Sequence, residues 1–371
     1  MKIAMFGHKR IPSREGGVEI VVEALSTRMA ALGHSVTCYN CGGHHVSGAE
    51  FDNHTEGVYR NVRLKTVATI DKKGLAAVTS GFFASVQASF SGADVVHIHA
   101  EGPAFFCWIP RLFGKRVIVT VHGLDWQREK WKQGFGAKFI RMGEKMAVRY
   151  AHEIIVLSRN VQDYFLQTYG RQTHWIPNGV SRPEQREIQP IQERYGLERE
   201  GYILFLGRLV PEKGIHYLIE AFRNVRTEKK LVIAGGTSDS DDYCERLKKL
   251  AEGDDRILFT GFVQGDVLEA LYSNAYVYVL PSDVEGMPLS LLEAMSYGNC
   301  CLVSDIPECV EVVEDKAVVF PKGNVPKLTE TLQKLCEEPD CVPSYKICTA
   351  DFICGKYSWD DVTEKTLELY Q

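Results

Sequence analysis

Ten short apolar runs, arranged as two sets of five, constrain the fold of this 371-residue chain more than any other feature. In the first half they fall at residues 3–6, 35–39, 95–98, 117–121 and 154–157, with helical stretches between them. The second half repeats the rhythm at residues 203–206, 231–234, 257–260, 276–280 and 301–304. Alternation of this kind marks parallel sheets covered by helices on both faces, so the chain is predicted to be α/β with two doubly wound sheets. A chain of this length exceeds the usual single core, and its 45% hydrophobic content is enough for two. Residues 181–190 are polar and contain Pro183 and Pro190, as expected of a linker, which sets the domain boundary near residue 180. The last stretch, residues 357–371, reads as a helix with an N-cap at Ser358.

Charged residues cluster where predicted strands end. The run 276–280 leads into a loop holding Glu285, and Glu293 follows eight positions later inside a helix marked by Leu289, Leu292 and Met295 and closed by Gly298 as its C-cap. In open α/β sheets ligands bind just outside such strand ends. Taken alone, Glu285 reads equally well as a carboxylate facing the positive end of the helix dipole, and Glu293 as a solvated helix carboxylate. The run 203–206 leads into Gly207-Arg208 and then Lys213-Gly214, with a second helix behind them. Arg208 offers a fork of donors and Lys213 a mobile point charge, the pair of cations a pyrophosphate requires, although an ordinary solvated loop has the same composition. Both Lys213 and Glu285 are expected to be exposed.

The first strand ends at Gly7, and Gly16-Gly17 opens the first long helix, whose free N–H groups can face a phosphate or an acceptor. A glycine pair equally marks a tight turn. It is neither a Gly-x-Gly-x-x-Gly fingerprint nor a P-loop, so no NAD or ATP site is indicated. His122 ends the strand before it, where a lone histidine is more often structural; His97 and His99 read as structural as well.

Together these residues resemble the retaining glycosyltransferases of the GT4 family. Gly207-Arg208 with Lys213-Gly214 and the Glu285 to Glu293 pair are specific in combination. Gly16-Gly17 with Glu19, His122-Gly123 and Pro177-Asn178-Gly179 extend the match to the N-terminal half. The resemblance implies the GT-B fold, two Rossmann-like domains facing across a deep cleft. Residues 1–180 would bind the acceptor, residues 181–356 the nucleotide sugar, and the helix of 357–371 would cross back to the first domain. It implies transfer of a sugar from a nucleoside-diphosphate sugar to an acceptor hydroxyl with retained anomeric configuration, a hexosyltransferase-type reaction that needs no metal or other cofactor. His122, Arg208, Lys213 and Glu285 would be catalytic. Arg208 and Lys213 would hold the diphosphate, Glu285 the sugar hydroxyls and Glu293 the ribose. Gly16, Gly17, Gly286, Met287, Pro288 and Leu289 would bring backbone close to the donor. Polysaccharide or glycolipid assembly at the cell surface is the setting the resemblance favours. A nucleotide-sugar epimerase of the same fold and a non-catalytic nucleotide-sugar-binding subunit are the alternatives.

Net charge of −5 gives no global cue for a nucleic-acid partner. Eleven cysteines without framework spacing and the lack of a signal-peptide pattern point to a reducing cytoplasm. No apolar run is long enough to span a bilayer. Asp239, Asp241 and Asp242 read as a solvated loop rather than a metal site. Residues 126–145 mix six lysines and arginines with large aromatics. They are suited to resting on an anionic membrane at the inner face, where a polyprenyl-linked sugar would be the acceptor, or else form a solvated basic surface.

Overall fold

A computed structural model describes residues 1–43, 57–70, 75–127, 135–236 and 241–371. The chain forms two compact units, one of Met1–Gly179 with Trp359–Gln371 and the other of Val180–Ser358.

The first unit is built on eight strands: β1 (Lys2–Phe6), β2 (Ser35–Cys41), β3 (Gly57–Tyr59), β4 (Val62–Val67), β5 (Val95–His99), β6 (Arg116–Val121), β7 (Glu153–Val156) and β8 (His174–Trp175). Their order is β3-β4-β2-β1-β5-β6-β7-β8, parallel throughout except that β3 runs against β4. From β1 the chain winds outward one way through β2 and β4, then returns to β5 on the other side. Strands buried on both faces are largely apolar, as Val277–Leu280 of the second unit is; β5 is buried along its whole length although it carries His97 and His99. The helix Trp359–Glu368 belongs to this unit: Arg28 pairs with Asp360 at 3.1 Å, and Arg116 Nε donates to the Leu369 carbonyl at 2.7 Å.

The second unit carries β9 (Tyr202–Leu206), β10 (Lys230–Ala234), β11 (Ile257–Gly261), β12 (Val277–Leu280), β13 (Cys300–Ser304) and β14 (Val318–Phe320). The order β11-β10-β9-β12-β13-β14 is all parallel, and the winding direction reverses between β9 and β12. Two expectations need correction here. The linker ends early, because a helix, Gln189–Tyr195, begins inside it with a proline in its first turn, where the missing N–H leaves no helical bond unmade. Asp241 and Asp242 open the helix Asp241–Ala251 rather than lying in a loop, as acidic residues favour the positive end of a helix; Asp239 falls outside the described residues. All eleven cysteines are free.

Candidate active site

The reversal between β9 and β12 brings together two loops that are far apart in sequence. Residues 207–214 leave the carboxyl end of β9 and residues 281–288 that of β12, so both rise where an open α/β sheet forms its crevice. The Asp283 N–H donates to the Glu212 carbonyl at 2.8 Å. Gly214 sits at φ +65, its α-carbon so close to the Pro281 carbonyl that a β-carbon there would overlap the oxygen. Across this junction Lys213 Nζ meets Glu285 Oε1 at 2.6 Å, and the Ser282 hydroxyl donates to the same oxygen at 2.6 Å. Ser304, at the end of β13, fixes Ser282 in turn by donating to its carbonyl at 2.6 Å.

The expected exposure of this pair does not hold, since the Lys213 side chain is 13% exposed and that of Glu285 is 8% exposed. Packing of the two loops against each other shields both charges. Arg208 follows β9 and is half-buried, its loop fixed by N–H groups of Gly207 and Leu209 donating to the Ala234 and Gly236 carbonyls, each at 3.0 Å. Gly286, Met287 and Pro288 are buried, and the helix Leu289–Ser296 starts behind them with no side chain capping its N-terminus. Its first N–H groups therefore remain donors at the site. Glu293 accepts from the Tyr272 hydroxyl at 3.3 Å, and Tyr272 stacks on Tyr297 with ring centroids 5.3 Å apart. Gly298, at φ +78, terminates that helix.

Gly16, Gly17 and His122 lie in the first unit. Gly16 precedes the helix Gly17–Ala31 in extended backbone, without a side-chain cap. Glu19, in the first turn, is buried and accepts the Lys9 N–H at 2.8 Å, and its other carboxylate oxygen lies against Gly16. A carboxylate already faces this helix end, so the position suits a hydroxyl better than a phosphate.

His122 stands at the end of β6, with Nε2 3.1 Å from His99 Nδ1 at the end of the neighbouring β5. His97 is structural as expected: one nitrogen meets the Tyr370 hydroxyl at 2.6 Å and the other the Thr120 hydroxyl at 2.7 Å. Its ring stacks on His99 at 4.2 Å. His8, beyond β1, donates from Nε2 to Asn40 Oδ1 at 2.9 Å, and the Asn40 amide also bridges the N–H and carbonyl of Ile11. Burial pushes His97 down to about 3, lowers His8, and takes His99 well below the usual imidazole range with help from the neighbouring His97, His122 and His8. The three are neutral imidazoles at neutral pH. Sequence reasoning missed His8, Ser282 and Tyr272, and it missed the partnership of His99 with His122. Only the position of both histidines at strand ends pointed toward that pair.

Comparison with known proteins agrees in both halves. Residues 15–182 match the family described as Glycosyltransferase Family 4, and residues 187–349 match Glycosyl transferases group 1. An uncharacterized glycosyltransferase of Methanocaldococcus jannaschii is 25% identical over 400 residues, covering 100% of this chain and 98% of the relative. O-antigen chain mannosyltransferase B of Escherichia coli is 30% identical over 193 residues, 50% of this chain and 49% of its own. Among solved structures, sucrose-phosphate synthase from Thermosynechococcus elongatus gives a TM-score of 0.84 at 20% identity, covering 100% of this chain and 98% of that one. Anabaena HepE in complex with UDP and glucose gives 0.81 at 16% identity, covering 99% and 98%. Two Rossmann-like domains with both halves matched define a glycosyltransferase of the GT-B fold. The chain belongs to the GT4 family.

Proposed function

We propose that the protein transfers a hexosyl group from a nucleoside-diphosphate sugar to a glycan or polyprenyl-linked acceptor with retention of configuration, in cell-surface polysaccharide or glycolipid synthesis. The observation that carries this reading is the Lys213–Glu285 pair at the strand crossover, beside Arg208 and an uncapped helix N-terminus. As the bond to the diphosphate breaks, negative charge grows on the leaving oxygens and positive charge on the anomeric carbon. Arg208, Lys213 and the N–H groups beyond Pro288 would stabilise the first, in place of a metal. Lys213 carries three N–H donors, so one can remain on Glu285 while another meets phosphate. Glu285, held by Ser282, would face the sugar hydroxyls and the positive charge, Glu293 the ribose, and His122 the donor sugar. Gly16 and Gly17 would meet a hydroxyl. A leaving phosphate that takes the acceptor proton on the same face accounts for retention without a separate base. HepE with UDP and glucose supports UDP as the first nucleotide to try, and the O-antigen mannosyltransferase supports the polysaccharide setting.

The test is a thermal-shift series with UDP, GDP, TDP and ADP and their sugar conjugates, with and without EDTA. A nucleotide at a hundredfold excess over its Kd stabilises by about 2.7 kcal/mol. One nucleotide should shift the transition, and EDTA should leave the shift intact. No shift with any nucleotide removes the proposal; binding without turnover favours the non-catalytic subunit, and conversion of the sugar without acceptor favours the epimerase.

A peripheral membrane contact is the second part of the reading. Of residues 126–145, 128–134 lie outside the described residues, and Trp126 is engaged inward, donating its indole N–H to Glu144 at 3.3 Å. Lys138, Arg141 and Lys145 are exposed along the helix Phe135–Tyr150. Phe82, Phe83, Phe90, Leu112 and Phe113 are exposed on the preceding helical segments of the same unit. Exposed apolar side chains and exposed cations on the same unit favour an anionic bilayer, and no helix among the described residues is long and apolar enough to cross one. Sedimentation with phosphatidylglycerol vesicles should be strong at low salt and weaken as salt rises; no binding at low salt rejects the contact.

A further inference from the structure

We propose that Glu101 and Glu144 form a buried carboxyl pair sharing one proton, and that this pair positions His99 and His122 by clamping the chain segments that follow them. Glu101 is 1% exposed and Glu144 is 0% exposed. Glu144, on the helix Phe135–Tyr150, accepts three donors and keeps room for a fourth: the Tyr164 hydroxyl at 2.8 Å and the Tyr169 hydroxyl on Oε1, and the Trp126 indole N–H at 3.3 Å on Oε2. Glu101 accepts the Asp125 N–H on Oε2 at 2.9 Å. Its Oε1, equally buried, receives no donor among the described residues. The two carboxyls are brought together by their surroundings: Gly143, next to Glu144, packs on the Glu101 carbonyl, and the consecutive residues Asp125 and Trp126 each donate to one of them.

A buried carboxylate oxygen without a donor is unfavourable, and two adjacent buried carboxylates repel each other. A proton on Glu101 Oε1 removes both penalties, because an acid hydroxyl there donates to Glu144, which as a carboxylate can only accept. The titratable groups facing the pair are Asp125 from the loop after β6 and Tyr164 and Tyr169 from the helix Arg159–Tyr169. Arg141 lies beyond, 4.2 Å from the Trp126 ring centroid. Burial, then Asp125 and Glu144, holds the Glu101 carboxyl well above the usual carboxylate range. Burial and Glu144 push Tyr164 up to about 12, and Tyr169 rises as well, so both remain hydroxyl donors.

The pair sits where it can govern the histidines. Glu101 follows His99 by two residues, through Ala100, which adopts φ +73, a conformation an alanine keeps only when its surroundings impose it. Asp125 and Trp126, the residues bound by the two carboxyls, follow His122 by three and four. The Gly143 backbone presses on the Glu101 carbonyl from the other side, where even a β-carbon would overlap it. Both exits from the His99–His122 couple are therefore tied to the same two side chains.

The pair stands independently of the transferase reading, whereas the use of His122 in catalysis rests on it; the experiment below reads only the fold and the imidazoles. The full chain, labelled with 15N-histidine, is compared with Glu101→Gln, Glu101→Ala and Glu144→Gln for melting temperature from pH 5 to 9 and for the ring-nitrogen shifts of His99 and His122. A carboxyl whose folded pKa is raised contributes stability below its unfolded pKa and loses it as pH rises toward the folded value. The amide of Glu101→Gln mimics the protonated acid, so this variant should lie nearest the parent at pH 5, with the gap in its favour widening as pH rises to about 3 °C or more at pH 8. The buried histidines titrate alike in both proteins and cancel from the difference. Glu144→Gln, which replaces one acceptor oxygen with an NH2 donor among three donors to this side chain, should melt lower at every pH. The His99 and His122 shifts should be unchanged in Glu101→Gln and altered in Glu101→Ala. If Glu101→Gln melts below the parent at pH 8, Glu101 is ionised there and the shared proton is refuted. If Glu101→Ala folds with unaltered imidazole shifts, the positioning role is refuted; should it not fold, the pH series of Glu101→Gln and the low melting of Glu144→Gln decide.

Discussion

Glu285→Ala and Lys213→Ala are each expected to lower the stability of the second unit by about 3 kcal/mol while also removing turnover. With side chains only 8% and 13% exposed, each charge depends on the other for compensation, so deleting one leaves its partner buried and unpaired. The loss is then set by desolvation of the stranded charge rather than by the strength of the bond itself. Replacing both together, as Lys213→Met with Glu285→Leu, should recover much of the stability and none of the turnover. Glu285→Gln separates the two effects differently. It keeps the shape and an acceptor for Ser282 but no negative charge, and should lower kcat by about 10² to 10³ with a smaller loss of stability. Urea unfolding and turnover with whichever donor the thermal-shift series identifies are the measurements. Unchanged stability in both alanine variants would mean that water reaches the pair freely, as an exposed loop would have allowed.

The central runs were legible because strands buried on both faces are largely apolar and end abruptly, as Tyr202–Leu206 and Val277–Leu280 do. The strands that were missed differ in a physical way. Between Val62 and Val67 the chain alternates, with Val62 and Leu64 buried and Arg63 and Lys65 exposed, so β4 shows a period of two rather than a run. β8 has two residues and β14 three, too few to show any period. The charged residues at strand ends were equally legible one at a time. Lys213 and Glu285 are 72 residues apart, however, and nothing local says that β9 and β12 are neighbours. The crossover in strand order supplies that fact. His99 with His122, and Glu101 with Glu144, are joined by neighbouring strands and helices in the same way. Exposure was misjudged for the same reason, since burial of a polar loop depends on which other loop packs on it.

Gly214→Ala tests that packing directly and is expected to destabilise by about 3 kcal/mol. Gly214 lies at φ +65, where a side chain costs roughly 1 kcal/mol, and the new β-carbon would overlap the Pro281 carbonyl, adding about 1–3 kcal/mol. Gly196 provides the control within the same unit: its φ is +60, but nothing lies within 4 Å of an added β-carbon. Gly196→Ala should therefore show the conformational term alone, roughly 1 kcal/mol, and the difference between the two variants measures the contact between the loops. The contact also sets the site, because Gly214 follows Lys213 directly and Pro281 precedes Ser282, the donor to Glu285. Forcing the loops apart must lengthen the bond from the Asp283 N–H to the Glu212 carbonyl and the Lys213–Glu285 pair together. Turnover should fall in Gly214→Ala even at temperatures where the variant is fully folded, and remain near the parent's in Gly196→Ala. Equal stability losses in the two variants would show that the β9 and β12 loops yield easily, and the paired site would then owe its geometry to the Lys213–Glu285 bond alone.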